Sequence, residues 1–354
     1  MYNSQNLPLS PKKVFKKSFG SSLAFFALSL IVAGLAFIVL YSMSQDINRN
    51  AFYAILAFVV FNVVTIGSIV TYQYLYYKYY YYNFEDDKAE IKKGVVAIAT
   101  GHVQYNRIQN IFVDQDVMDR ILGLYDVHYE TAGESSGFYS HVDGLNKENS
   151  DKLVEFLNEK VLNKGRGDSN GEQKKQAEDV KETVDNDQRV FTRENVPIDS
   201  KIVWVDVFST VLTVVGLLIF FSFRLLADGD LENEELKFFV TVIIGSVTVL
   251  AIIGSYIYAR VWYKNFYFKF DVNGGLITEK VLAVKNTYLY YNRIQNIDVS
   301  QGVIARLLGL NELQIETAAE GSKLNSIKIV GLRRDGAEML KNFLLEKSRK
   351  YHSV

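Results

Sequence analysis

The sequence predicts an α+β membrane protein: four transmembrane helices in two hairpins, each hairpin followed by a small cytoplasmic domain of strands closed by a C-terminal helix. Three observations predict it. Four long stretches carry no charged residue. The heptapeptide YNRIQNI, Tyr105 to Ile111, returns letter for letter from Tyr291 to Ile297, 186 positions on. A polar, charged segment separates the two copies.

The uncharged stretches are Leu23 to Met43, Phe52 to Tyr77, Val207 to Phe223 and Phe238 to Ala259. A bilayer core is crossed by roughly 20 apolar residues in a helix, with about 17 as a minimum. Each stretch meets that length. Lysine and arginine set the expected orientation. Lys12, Lys13, Lys16 and Lys17 precede the first span, Lys78 follows the second, and Arg260 and Lys264 follow the fourth. The first hairpin loop, SQDINRN, is nearly neutral and the second, LADGDLENEELK, is acidic. Both termini and both domains are therefore expected at the cytoplasmic face of the membrane. The tyrosine-dense YQYLYYKYYYY and YIYARVWYKNFYF fall at that boundary, where aromatic rings sit half in lipid and half in water.

Around the heptapeptide, YNRIQNIFVDQDVMDRILGLYDVHYETAGE lies over YNRIQNIDVSQGVIARLLGLNELQIETAAE with no gap and 18 of 30 positions the same. Self-similarity at a fixed offset marks a repeated structural unit. The organisation that follows is a basic N-terminus over 1–22, a hairpin over 23–77, a domain over 78–163, a flexible tether over 164–200, a second hairpin over 201–260 and a second domain over 261–354. The tether is polar, with few large apolar residues to offset chain entropy. Its Arg166-Gly167-Asp168 triplet is read as coincidental.

Each domain opens with short apolar runs divided by turn residues. Asn273-Gly274-Gly275 and Glu85 to Lys88 are expected to reverse the chain, the glycines supplying positive φ. Ile108 and Ile111 break strict alternation, which a bulge near Asn110 would repair. Val303, Leu307 and Leu310 predict a short amphipathic helix with those side chains inward, left through Gly309, or Gly123 in the first copy, at positive φ. Leu313, Ile315 and Thr317 share one face of a strand. The closing helices have Ser150 and Asp335 as expected N-caps.

RIQNIxVxQxxxxRxLGL followed by ETA resembles the signature of the bacterial pleckstrin-homology-like domain, a class joined to membrane hairpins. The resemblance covers both domains and implies a seven-stranded, partly open barrel closed by the last helix. It implies a membrane-anchored module without a catalytic role. Some members resemble factors encoded beside membrane-active bacteriocins, which implies immunity or export as an alternative. Eukaryotic relatives of the fold grip inositol phosphates through basic residues in the first hairpin. Here that hairpin reads EDDK and DVNGG, so the ion pairs for a polyphosphate are missing.

No cysteine is present, which excludes disulfides and thiolate chemistry. His102, His128, His141 and His352 show no metal-ligand spacing, and no nucleotide, metalloprotease or hydrolase motif occurs. No metal, cofactor or nucleic acid is expected; the expected partners are the lipid bilayer and a protein. A transporter is disfavoured because the spans hold almost no ionisable residue. Asn62 is read as glue between helices, and Gly67, Gly245 and Gly254 as points of close helix packing. The repeated polar residues Arg107, Gln109, Asn110, Arg120 and Glu130, with Arg293, Gln295, Asn296, Arg306 and Glu316, are either a shared binding face or internal partners that fix the strand–helix–strand corner. The second is favoured, since buried polar groups need partners. The copies differ in charge. Lys78 to Lys164 holds 10 basic and 15 acidic residues, and Arg260 to Val354 holds 15 basic and 9 acidic. The charges predict either that the two domains face each other, with the tether permitting it, or that the basic second copy lies against anionic lipid.

Overall fold

The structure is a computed structural model that describes residues 2–43, 47–131, 140–164, 189–227, 234–317 and 326–352. It divides into two compact units, Met1–Ile108 with Val113–Tyr129 and Ser135–Lys164, and Gln109–Phe112 with Glu130–Glu134 and Gly165–Val354.

The first copy runs β1 (Tyr2–Asn3), α1 (Lys12–Met43), α2 (Ile47–Tyr79), β2 (Tyr81–Phe84), β3 (Lys88–Lys93), β4 (Ala99–Gln104), β5 (Ile108–Gln115), α3 (Val117–Leu122), β6 (Tyr125–Thr131), β7 (His141–Leu145) and α4 (Lys147–Lys164). The second repeats the order as β8 (Phe191–Thr192), α5 (Ile202–Ala227), α6 (Glu234–Asn265), β9 (Tyr267–Phe270), β10 (Gly275–Lys280), β11 (Val284–Leu289), β12 (Ile294–Ser300), α7 (Val303–Leu307), β13 (Asn311–Thr317), β14 (Ser326–Leu332) and α8 (Arg334–His352). Strands β1 to β4 are successive antiparallel neighbours, as are β8 to β11. β12, β13 and β14 form a separate antiparallel sheet. The expected barrel is therefore not closed by a continuous ladder in the second copy among the described residues, although Ile198 forms an isolated bridge with Leu332.

The second core shows why these strands form. Phe268 and Phe270 alternate along β9, and Leu313, Ile315 and Thr317 along β13, all buried. Alternation with period two is what a sheet with one wet face requires. Ala337, Leu340, Phe343 and Leu344 of α8 join the same cluster at helical spacing. The bulge expected at the heptapeptide is present in β12, where the register shifts between Ile294 and Asn296 and both Ile294 and Ile297 stay buried. At the β9–β10 turn neither glycine has positive φ. Space is the reason for Gly275, because a Cβ there would lie 2.5 Å from the Phe270 ring.

Three helices are long and apolar enough to cross a membrane, Lys12–Val39, Asn48–Tyr79 and Thr241–Asn265, and Ile202–Leu218 is a shorter apolar stretch. Large side chains such as Ile31, Ile38 and Val63 stand exposed along these helices. Within each hairpin a polar contact joins the helices: Ser29 Oγ donates to Asn62 Oδ1 at 3.1 Å, and Thr210 Oγ1 and Ser255 Oγ lie 2.9 Å apart. Gly67, Gly245 and Gly254 do not make the expected close contacts, since a Cβ on any of them would meet nothing within 4 Å.

Several local expectations are corrected. Of the segment assigned to the tether, Lys164 ends α4 and residues 189–200 are built into the second unit; residues 165–188, including Arg166-Gly167-Asp168, lie outside the described residues. The N-terminal stretch assigned as a basic tail pairs as β1 with β2, and Leu7 and Leu9 are buried. Val303 and Leu307 share a face of the short helix that turns outward, whereas Leu310, beyond the helix and after Gly309 at φ 71°, is buried. Asn146, not Ser150, caps α4: its Oδ1 accepts from the Asn149 amide at 2.8 Å. Asp335 lies in the first turn of α8 rather than before it.

Candidate functional site

The N-terminal segments form a hook that appears in both copies. The amide of Asn3 donates to Asn6 Oδ1 and that of Thr192 to Asn195 Oδ1, both at 2.7 Å. The chain then turns back, Leu7 N–H to Asn3 O at 2.9 Å and Val196 N–H to Thr192 O at 2.8 Å. Pro8 and Pro197 follow, and the amides of Ser10 and Asp199 both donate at 2.8 Å to the carbonyls of Gly144 and Gly331. Those two glycines have φ of 78° and 80°. A side chain at either would be strained and would also strike the helix that follows the hook, at Lys13 in one copy and Ile202 in the other. Membrane helix and sheet are thereby tied at the same point twice. The signal was in the sequence: YNSQNLPLS and FTRENVPID share Asn, Pro and the apolar pattern between them. It escaped notice because its offset differs from that of the heptapeptide.

Position by position from the hook, Lys13, Lys16 and Lys17 of α1 correspond to Ile202, Val205 and Asp206 of α5. What surrounds them differs accordingly. In the first unit Lys16 Nζ lies 2.5 Å from Asp119, 2.9 Å from Asp116 and 3.5 Å from Asp126. Asp116 and Asp119 form a reciprocal capping box on α3, which fixes both carboxylates in front of the lysine. Lys13, 3% exposed, and Lys17 approach Asp143 of β7 at 3.8 and 3.6 Å. Lys13 Nζ also donates to the Asp143 carbonyl at 3.1 Å and lies 4.3 Å from the Tyr80 ring centre. The Gly144 amide donates to Asp126 at 2.6 Å.

Behind this pair of lysines sits Lys93 of β3, 1% exposed, with its Nζ 3.0 Å from His141 Nε2. Burial, with Lys13 and Lys17 adding to it, pushes the Lys93 ammonium down to about 7 despite Asp143. Burial likewise pushes His141 down to about 4, so its imidazole is neutral at pH 7, with Nε2 within reach of both Lys93 and Asp143. Burial alone would raise Asp143, but Lys13, His141, Lys17 and Lys93 outweigh it and hold the carboxyl well below its usual range. Burial, reinforced by Asp143, pushes Asp126 up to about 6. Buried charge is tolerated only when paired. This cluster consumes its charges internally and acts as a clamp between α1 and the strands.

The repeated polar residues do not gather into one such cluster. In the first copy Gln109, Asn110 and Glu130 are buried, with Asn110 Nδ2 donating to Glu130 at 3.2 Å, while Arg107 and Arg120 are exposed. In the second, Gln295, Asn296 and Arg306 are exposed, Asn296 bonding its neighbour Asp298 at 2.6 Å and Glu316 accepting from Gln314 at 3.0 Å. Arg293 is half-buried, its guanidinium lowered by burial. What the copies share instead is Tyr105 and Tyr291, whose hydroxyls bridge Glu85 O and Lys88 O, and Asp271 O and Gly274 O. They also share Gln115 and Gln301, donating to Leu124 O at 2.6 Å and Leu310 O at 2.9 Å. Among the described residues no group of His, Asp and Glu is arranged to hold a metal ion.

No curated protein and no solved structure gives a match. The family model described as bacterial PH domain matches residues 23–161 and again residues 210–348, each match running from within the hairpin to the closing helix. On that doubled match, over most of its length, the chain belongs to the bacterial PH domain family and carries the domain in two copies.

Proposed function

We propose that the chain is a non-catalytic scaffold of the bacterial cell membrane, anchored by four helices, whose two PH-like domains hold a protein or lipid partner at the cytoplasmic face. The observation that carries this reading is the attachment of each domain to its helix through the hook, reinforced in the first unit by Lys13 and Lys16. A domain so fixed has its position relative to the bilayer set by the helix, which suits presentation of a surface rather than turnover. The exposed apolar side chains of Val117 and Ile121 on α3, and of Val303 and Leu307 on α7, lie on the short helices beside α1 and α5. They favour dipping of these turns into the headgroup layer. The lysines in the first turns of α1 and the last turn of α2 support the orientation.

The chain has no cysteine, so single cysteines can be introduced without background. Placed at Lys160 and Lys341, they should react with an impermeant maleimide only after the inner face is opened. Labelling of either in intact cells would refute the orientation. Photocrosslinking from the same sites in native membranes should return a recurring protein or lipid adduct, and recovery of none across growth conditions would refute the scaffold.

A further inference from the structure

The place that Lys16 fills in the first unit is open in the second. A cleft of about 500 Å³ lies there, bounded by Ile202, Val205 and Asp206 of α5, Trp262 of α6, Val303 of α7 and Glu312 of β13. Val205 stands where the first copy has Lys16, and Glu312 stands where it has Asp126. The carboxylate at Glu312 is taken by Lys328 at 2.6 Å. Among the described residues the exposed Asp206 carboxylate has no hydrogen-bond or ion-pair partner. Apart from Ser209 and Asn311 the remaining walls are apolar and aromatic.

We propose that this cleft binds a small cationic amphiphile, an apolar chain ending in an ammonium group, with the chain against Val205, Trp262 and Val303 and the ammonium on Asp206. Charge complementarity argues for the occupant, since an unpaired carboxylate beside an apolar wall selects a cation carried on an apolar stem. The first copy shows the same chemistry satisfied from within: Lys16 is an alkylammonium, held among Asp116, Asp119 and Asp126. The second copy lacks the lysine and most of its partners, with Gly302 and Ala305 in place of Asp116 and Asp119, and offers instead Asp206, where the first copy has Lys17. The inference stands apart from the scaffold reading, because it requires neither a partner protein nor a particular orientation.

Trp262 is a built-in reporter, as the chain has two tryptophans and Trp204 does not line the cleft. The full-length Trp204→Phe protein in phosphatidylcholine nanodiscs is titrated at pH 7 with a terminally brominated dodecylammonium and, separately, with the matching brominated dodecanol. The ammonium should quench Trp262 saturably, with a half-point about tenfold lower than any the alcohol shows. Asp206→Asn should bring the ammonium to the level of the alcohol. Val205→Lys, which supplies the lysine of the first copy, should remove saturable quenching by filling the cleft. Near-equal quenching by ammonium and alcohol would overturn the proposal. Full retention of ammonium binding in both variants would overturn it too, and the two substitutions, one removing the carboxylate and the other filling the cleft, keep the result readable if one of them misfolds.

Discussion

Tyr105 and Tyr291 explain at the scale of one residue why the heptapeptide persists. Each hydroxyl donates into the turn at the end of the first hairpin, while its ring packs edge-on against the closing helix, at Phe156 and Phe343. The isoleucines three positions apart both reach the core because the chain bulges between them. The charge state of Lys93 depends strongly on its surroundings. It is faced by Lys13 and Lys17 from α1, His141 and Asp143 from β7, and the Tyr80 ring at 5.3 Å. Its folded pKa near 7 lies below the ordinary lysine value of 10.5. Between these values the unfolded chain binds the proton that the folded chain has released, so stability rises with pH there. Below 7 both states are protonated and the cost of the buried cation is present in full. The thermal midpoint of the full-length protein is therefore expected to climb from pH 7 to pH 10, and Lys93→Met should flatten that climb and raise the midpoint at pH 7. An unchanged slope in the variant would show that Lys93 is not the group responsible.

Among elements, the hook and its glycine are the joint on which each unit depends. Gly331 sits at φ 80°, and an added methyl would meet Ile202 at 2.9 Å. Gly331→Ala should destabilise the second unit by at least about 1–2 kcal/mol from backbone strain. Hydrogen exchange would place the loss at β14 and the first turn of α5. Exchange that stays as slow as in the parent at both places would remove the glycine from this role. The sequence reading missed the hook for a physical reason. A strand of two residues has no periodicity to detect, and its partner strand lies beyond a whole helical hairpin. Its stability comes from Asn side chains and from the fit beneath a glycine, which only the folded neighbour reveals. The closing helices, by contrast, declared themselves through 3.6-residue spacing of Leu340, Phe343 and Leu344.

Over the whole molecule the two copies share a frame and differ in charge. The first domain is acidic and spends four aspartates on its own lysines; the second is basic by six charges and leaves its equivalent joint apolar. In nanodiscs, raising the fraction of anionic lipid should slow hydrogen exchange in the second domain and leave the first unchanged, with the difference fading as salt approaches 0.5 M, because each basic residue near such a surface contributes about 1 kcal/mol that ions screen. Equal response of both domains, or none, would assign the basic excess to something other than lipid.

By itself the sequence determined the duplication, the apolar helices, the α+β class and the alternating cores, since each is written in local spacing that water and chain geometry enforce. Tertiary structure alone decided the hook, the burial of Lys93, and which copy closes its joint with an ammonium among carboxylates. Those depend on residues far apart in the chain meeting at a few ångströms, where Lys16, Asp116 and Asp119 give way to Val205, Gly302 and Ala305 and a clamp becomes a cleft.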